Sequence, residues 1–312
     1  MQRLLVWCAA ACAAAVVGNG QQPPVFRGTA ETVPVFVTVT DKDSRLVTTL
    51  GREDFVLLDN GRPQPISVFD NSPQPIRLIV MLDVSGSMYG NLGLLREASN
   101  QLFARLRPDD QVRVGSFGAE ITISPAFSND RAVLDAALPA AIPPSAPTPL
   151  WAALDTALDG FAGAGGRRVV LVLSDGKDSG PVRFGQPFLT LIHVMERAQR
   201  EEVMIYAVGL RSRGAPGRRP GVFNPAQAMT DDFPDAGLGK LALETGGGYF
   251  EIKPSDNLAA AFERVVDELH GQYLLGFSPP SRDGKRHKIE VRLVPRDLTP
   301  RARKNYVAPK AP

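Results

Sequence analysis

Four unbroken apolar runs constrain this chain most: "IRLIVML" (76–82), "VRVGSF" (112–117), "RVVLVLS" (168–174) and "VMIYAVGL" (203–210). A strand with one wet face alternates apolar and polar residues, whereas a strand covered on both faces reads as a solid apolar run. Leu92, Leu95, Leu102 and Leu106 recur at helical spacing after the first run, and so do Leu258, Phe262, Val265 and Leu269 later on. Strands alternating with helices in this order predict an α/β fold: a doubly wound, mostly parallel sheet with helices on both faces. With 312 residues, 44% of them hydrophobic and 22% charged, the chain is long enough for that core and a smaller second one.

The flanking segments follow a different rule. "TVPVFVTVTD" (32–41), "EDFVLLDNGRP" (53–63) and "PISVFD" (65–70) alternate around an Asn60-Gly61 turn, and the tail does the same in "QYLLGFSPP" (272–280) and "HKIEVRLV" (287–294) around Asp283-Gly284. Two or three strands bury too little to stand alone. The N-terminal segment 21–75 and the C-terminal segment 271–312 are therefore expected to pair into one small β domain, with an α/β domain at 76–270 inserted between them. Residues 1–20, "MQRLLVWCAAACAAAVVGNG", have the layout of a signal peptide, so the chain is expected to be exported, to the periplasm or the cell exterior. Their apolar stretch is shorter than the roughly 20 residues a bilayer needs. The two cysteines, Cys8 and Cys12, both lie there, which leaves the mature chain without disulfides, thiolate metal sites or a cysteine nucleophile. A formal charge of +2 gives no electrostatic case for nucleic acid.

In an open parallel sheet, ligands bind beyond the carboxyl ends of the strands. Asp83, Ser85 and Ser87 leave one such end, Asp175 leaves another in "LVLSDGKD" (171–178), and Thr148 precedes a helix in "SAPTPLWAAL" (145–154). Two carboxylates and three hydroxyls, without histidine or cysteine, suit a hard cation. A small octahedral site that keeps waters favours Mg2+, with Mn2+ or Ca2+ as alternatives. So little excess negative charge would leave the metal electrophilic toward one more carboxylate. Each residue also has a purely structural reading. Ser87 could cap a helix beginning near Met88, Thr148 could cap a helix with Pro149 at its first position, and Asp175-Gly176 could be an ordinary turn.

"DVSGS", then a threonine, then "SDG" after a buried strand, resembles the metal-ion-dependent adhesion site (MIDAS) of the von Willebrand factor type A (VWA) domain, over about residues 76–270. The flanks are similar to those of the secreted bacterial VWFA-related proteins of acidobacterial type, which extends the resemblance over nearly the whole mature chain. The resemblance implies a six-stranded sheet with one antiparallel strand. It also implies Ser85, Ser87 and Thr148 as direct ligands, Asp83 and Asp175 as direct or water-mediated ones, and an open position filled by an acidic residue of a protein partner. Where the family commonly has two glycines before the threonine, this chain has Ala146 and Pro147.

The expected function is thus an exported metal-dependent protein-binding module, in adhesion or complex assembly, and not an enzyme; the alternative is a scaffold whose site is vestigial or purely structural. "VSGSM" does not match the nucleophile elbow of serine hydrolases, and no P-loop or dinucleotide fingerprint is present. The segment 211–237 is rich in proline, glycine and arginine, and Arg211, Arg213, Arg218 and Arg219 are candidates for drawing acidic groups toward the metal, unless it is a solvated insertion. His193 reads as a helix-surface histidine, while His270 and His287 read as isolated.

Overall fold

The computed structural model of the chain describes residues 32–181, 185, 187–211, 234–253 and 256–310. The expected leader, both cysteines, and Arg213, Arg218 and Arg219 lie outside the described residues. In chain order, β1 (Val33–Thr40), β2 (Phe55–Asp59), β3 (Arg62–Gln64) and β4 (Val68–Asp70) precede β5 (Ile76–Asp83), α1 (Leu92–Ala104), β6 (Gln111–Phe117), β7 (Ile121–Ile123), α2 (Arg131–Ala136) and α3 (Leu150–Asp159). Then come β8 (Arg167–Ser174), α4 (Leu191–Arg200), β9 (Met204–Leu210), α5 (Ala236–Thr245), β10 (Tyr249–Ile252) and α6 (Leu258–His270), and finally β11 (Tyr273–Phe277), β12 (Arg286–Leu293), β13 (Thr299–Arg301) and β14 (Asn305–Val307).

The central sheet has the order β10-β9-β8-β5-β6-β7, parallel throughout except for β7, which runs antiparallel to β6. Its register explains the apolar runs. Leu78, Val80 and Leu82 of β5, with Val169, Leu171 and Leu173 of β8, face the core under α1 and α6. The residues between them, Ile79, Met81, Val170 and Val172, face the core under α3, α4 and α5. Neither face can carry a polar residue, so the period-two signal vanishes. Leu171→Ala, in the middle of this double core, is expected to cost about 2–5 kcal/mol. The check is a lower denaturant midpoint at unchanged slope.

Strands from the two chain ends form two antiparallel four-stranded sheets, β13-β1-β11-β4 and β14-β12-β2-β3. Val35 pairs with Leu275 in one and Leu57 with Val291 in the other. Both sheets feed one core that includes Val35, Val37, Phe55, Leu57, Tyr273, Leu275, Phe277 and Tyr306. Asn60 and Gly61, at φ 47° and 79°, make the tight turn between β2 and β3 that Asn-Gly predicts.

This sandwich packs against the amino ends of the parallel strands. Arg167, the first residue of β8, is buried; it donates to the carbonyl of Leu269 (2.7 Å) and to the Gln272 side chain, and its guanidinium lies over the Phe36 ring. Gln272 in turn donates to Thr38 (2.7 Å) and Tyr206 (3.2 Å), and Glu268 pairs with Arg301. Asp110, just before β6, accepts from the backbone of Ile76 (3.1 Å) and Arg107 (2.8 Å) and lies 2.9 Å from His270. His270 and His287 are therefore not isolated, contrary to the sequence reading, since His287 sits between Asp59 (3.0 Å) and Asp283 (3.2 Å) in the sandwich. The pairings with Asp110 and Asp59 are remote in sequence, whereas Asp283 lies four positions from His287. Among the described residues no helix is long and apolar enough to cross a membrane.

Candidate metal centre

The carboxyl ends of β5 and β8 lie side by side, on the far side of the sheet from the sandwich. Asp83, the last residue of β5, is fully buried, and its Oδ1 accepts the Ser85 backbone N–H at 2.8 Å, which turns the chain back over the strand end. A short 3-10 turn, Gly86–Met88, then carries Ser87 to within 3.0 Å of the Ser85 hydroxyl, and Ser87 Oγ donates to Asp175 Oδ1 at 2.6 Å. Gly86 is required here: its N–H donates to Ala146 O (2.9 Å), and a Cβ would stand 2.6 Å from Pro144 O.

That close crossing brings in the third loop. A Cβ at Gly176 would lie 3.0 Å from Thr148 Oγ1, so the threonine hydroxyl sits against the residue next to Asp175. Thr148 N–H donates to Ser179 Oγ (3.1 Å) and Ser179 N–H to Thr148 O (2.9 Å), which clamps the two loops together. All five residues singled out by sequence, Asp83, Ser85, Ser87, Thr148 and Asp175, thus gather at one edge of the sheet.

The helix-cap readings are corrected. α1 begins only at Leu92, after Asn91, and Ser87 spends its proton on Asp175. α3 begins at Leu150 after Pro149 with no side-chain cap from Thr148; instead Asp178 Oδ1 accepts the Trp151 N–H at 3.2 Å. Asp175 is more than a turn residue, because its Oδ2 is buried without a hydrogen-bond partner.

Sequence reasoning missed three participants. Ser174, the residue before Asp175, donates its hydroxyl to Asp83 Oδ2 at 2.5 Å. Ser179 and Asp178 hold the Thr148 loop as described. The only available signal was the spacing of "SDGKDS" (174–179), whose polar residues read equally well as loop filler. Arg211, foreseen as an attractor of acidic groups, pairs with Glu251 of the neighbouring strand. His193 lies on the surface near Asp155, as read from sequence.

Electrostatically the site is unbalanced. Burial drives the Asp83 carboxyl from its ordinary 3.8 up to about 7, with the neighbouring Asp175 adding to the rise while Ser174 and Ser85 oppose it. Burial likewise raises Asp175, against the hydrogen bond from Ser87. Among the described residues no lysine, arginine or histidine draws either carboxyl down. Two desolvated carboxylates, one orphaned oxygen, the adjoining Ser85 and Ser87 hydroxyls and the Thr148 hydroxyl against Gly176 fit a small hard cation, whose charge would offset the burial. Among the described residues no group of three His, Cys, Asp or Glu side chains offers a zinc-type alternative.

Residues 78–177 match the family described as von Willebrand factor type A domain. No curated protein matches the chain significantly in sequence. Among solved structures, the chain is similar to the conserved hypothetical protein BatB from Bacteroides thetaiotaomicron, at 18% identity over 62% of this chain and 98% of that one, with a TM-score of 0.47. It is also similar to a von Willebrand factor type A protein from Catenulispora acidiphila (13% identity, 89% of this chain, 75% of that one, TM-score 0.47). A third is the vWF domain of the type V pili tip protein Mfa5 from Porphyromonas gingivalis (13% identity, 62% of this chain, 95% of that one, TM-score 0.45). Likeness at this level goes no further than the resemblance itself. The family match over 78–177 and the six-stranded, mostly parallel sheet with its flanking helices agree on a von Willebrand factor type A fold for the α/β part of this chain.

Proposed function

We propose that the chain is an exported, metal-dependent protein-binding module of the VWFA-related kind, with a MIDAS-type site in which Asp83, Ser85, Ser87, Thr148 and Asp175 hold Mg2+, or Mn2+ or Ca2+ in its place. The observation that carries this reading is the pair of carboxyls raised by burial, with Ser87 bridging from the Ser85 hydroxyl to Asp175. A bound cation would supply a Lewis-acidic position for one acidic side chain of a partner. The chain's own residues do the rest. Ser174 and the Ser85 N–H fix the Asp83 carboxylate, Ser87 orients Asp175, and the Ser179 clamp holds Thr148.

The reading is of a binder rather than a catalyst: among the described residues no histidine contacts Ser85, Ser87 or Ser174, and the carboxylates that accept from Ser87 and Ser174, Asp175 and Asp83, are assigned to the cation. The leader-like residues 1–20 support export. The experiment is calorimetric titration of residues 21–312 with MgCl2 and MnCl2, alongside Asp83→Ala. Saturable binding is expected for the parent and none for the variant, with circular dichroism unchanged. If the parent takes up neither ion, the site is a structural relic and the chain a scaffold.

A further inference from the structure

Among the described residues only two aromatic side chains are exposed, Tyr89 (66%) and Phe188 (70%); every other Phe, Tyr and Trp is buried or half-buried. Both stand on loops of the candidate centre. Tyr89 is two residues beyond Ser87, where its N–H closes the 3-10 turn onto Gly86 O at 3.2 Å. Phe188 lays its ring beside Gly180, where a Cβ would meet it at 3.2 Å, and Gly180 follows the Ser179 that clamps Thr148.

Contacts link these pieces in one strip: Tyr89, Ser87, the 144–148 crossing over Gly86, Thr148 against Ser179, then Gly180 and Phe188. The two rings mark its ends, with the metal-binding hydroxyls between them. Leu94 and Ile192, also exposed, occupy the first turns of α1 and α4, the helices that leave the same strand ends. Among the described residues fifteen other aromatic rings are buried or half-buried, and the two left exposed stand where a partner is expected; aromatic side chains are typical anchors of binding surfaces.

We infer that this face selects a protein segment whose acidic residue is flanked by apolar side chains, with Tyr89 and Phe188 as the anchors that read the flanks. The inference rests on the metal-dependent binding proposed above. Charge complementarity sets its chemistry. A divalent cation is offset by Asp83 and Asp175, so the centre calls for one carboxylate and offers no surplus positive charge to a strongly acidic surface. The apolar rings then supply the discrimination.

The test uses two blocked peptides, one with a single aspartate between glycines and one with phenylalanine and leucine on either side of that aspartate, titrated with saturating MgCl2 into residues 21–312, Tyr89→Ala and Phe188→Ala. The flanked peptide is expected to bind the parent about tenfold tighter than the glycine one, and each variant to lose roughly five- to tenfold for the flanked peptide alone. Magnesium titrated without peptide should bind all three proteins equally. Equal affinity for both peptides, with magnesium still bound, overturns the inference and leaves the metal-binding reading intact; no magnesium uptake by the parent removes both. Sedimentation of the parent and variants closes the remaining route. Self-association lost in Tyr89→Ala and Phe188→Ala would assign the rings to a second copy of the chain and overturn the inference as well.

Discussion

With divalent cations chelated, the chain is expected to lose up to about 4 kcal/mol of stability as pH rises from about 4 to about 7. The sign follows from Asp83. Its carboxyl, raised in the fold from 3.8 to about 7, keeps a proton that the unfolded chain releases across that interval, so the stabilising contribution is complete below the unfolded value and lost as pH climbs through the folded one. The raised Asp175 acts in the same direction. Saturating magnesium should abolish the slope and add about 2.7 kcal/mol at a hundredfold excess over Kd. Asp83→Asn makes the argument sharper. Without metal at neutral pH, this variant should be more stable than the parent, because it removes a buried charge and keeps the shape. With magnesium the order should reverse. Chemical denaturation at pH 4.5 and 7.5, with chelator and with MgCl2, reads all of this. A parent whose metal-free stability is flat between those pH values would show that Asp83 is not strained by burial.

The second large effect belongs to the opposite end of the sheet. Asp110→Ala should destabilise the chain by about 3–5 kcal/mol, because it strips acceptors from the Ile76 and Arg107 N–H groups and leaves His270 facing an empty site. Asp110→Asn, which still accepts, should cost less. Burial would raise the Asp110 carboxyl, yet His270 and the two backbone donors outweigh it and hold it below its ordinary value. Its contribution is therefore present above about pH 4 and fades as pH falls. Together the two aspartates predict that metal-free stability peaks in mildly acidic solution. A midpoint for Asp110→Ala within a few tenths of a kcal/mol of the parent would sink this account of the junction.

What the sequence revealed depended on how local each signal was. The runs at 76–82 and 168–174 announced buried strands because both faces are covered, and Asn60-Gly61 announced its turn because the positive φ values belong to those two residues themselves. β7, β10, β13 and β14, of three or four residues each, are too short to show a period and exist through pairing with longer neighbours. Asp83, Ser85, Ser87 and Asp175 could be placed together because they follow the ends of neighbouring parallel strands, whereas Thr148, which precedes a helix, is brought beside Gly176 by its loop. The hydroxyl of Ser174 was not legible, because its partner Asp83 lies on another strand 91 positions away. The junction of Arg167, Gln272, Thr38 and Tyr206 was invisible for the same reason, as Thr38 and Gln272 are 234 positions apart.

The sandwich also imposes an order of assembly. Val35 has to wait for Leu275, and Leu57 for Val291, with the entire VWA domain synthesised between them. Left unfolded, that insert would have to be closed as one very long loop. Once folded, it presents residues 76 and 270 at the same end, where Asp110 ties Ile76 and His270 together, and the two half-sandwiches meet almost as neighbours. The β strands should therefore be the last part to gain protection from hydrogen exchange during refolding. A chain ending just after α6, before β11, would keep its central sheet but leave β1 without β11 and β13 and β2 without β12, as aggregation-prone edges.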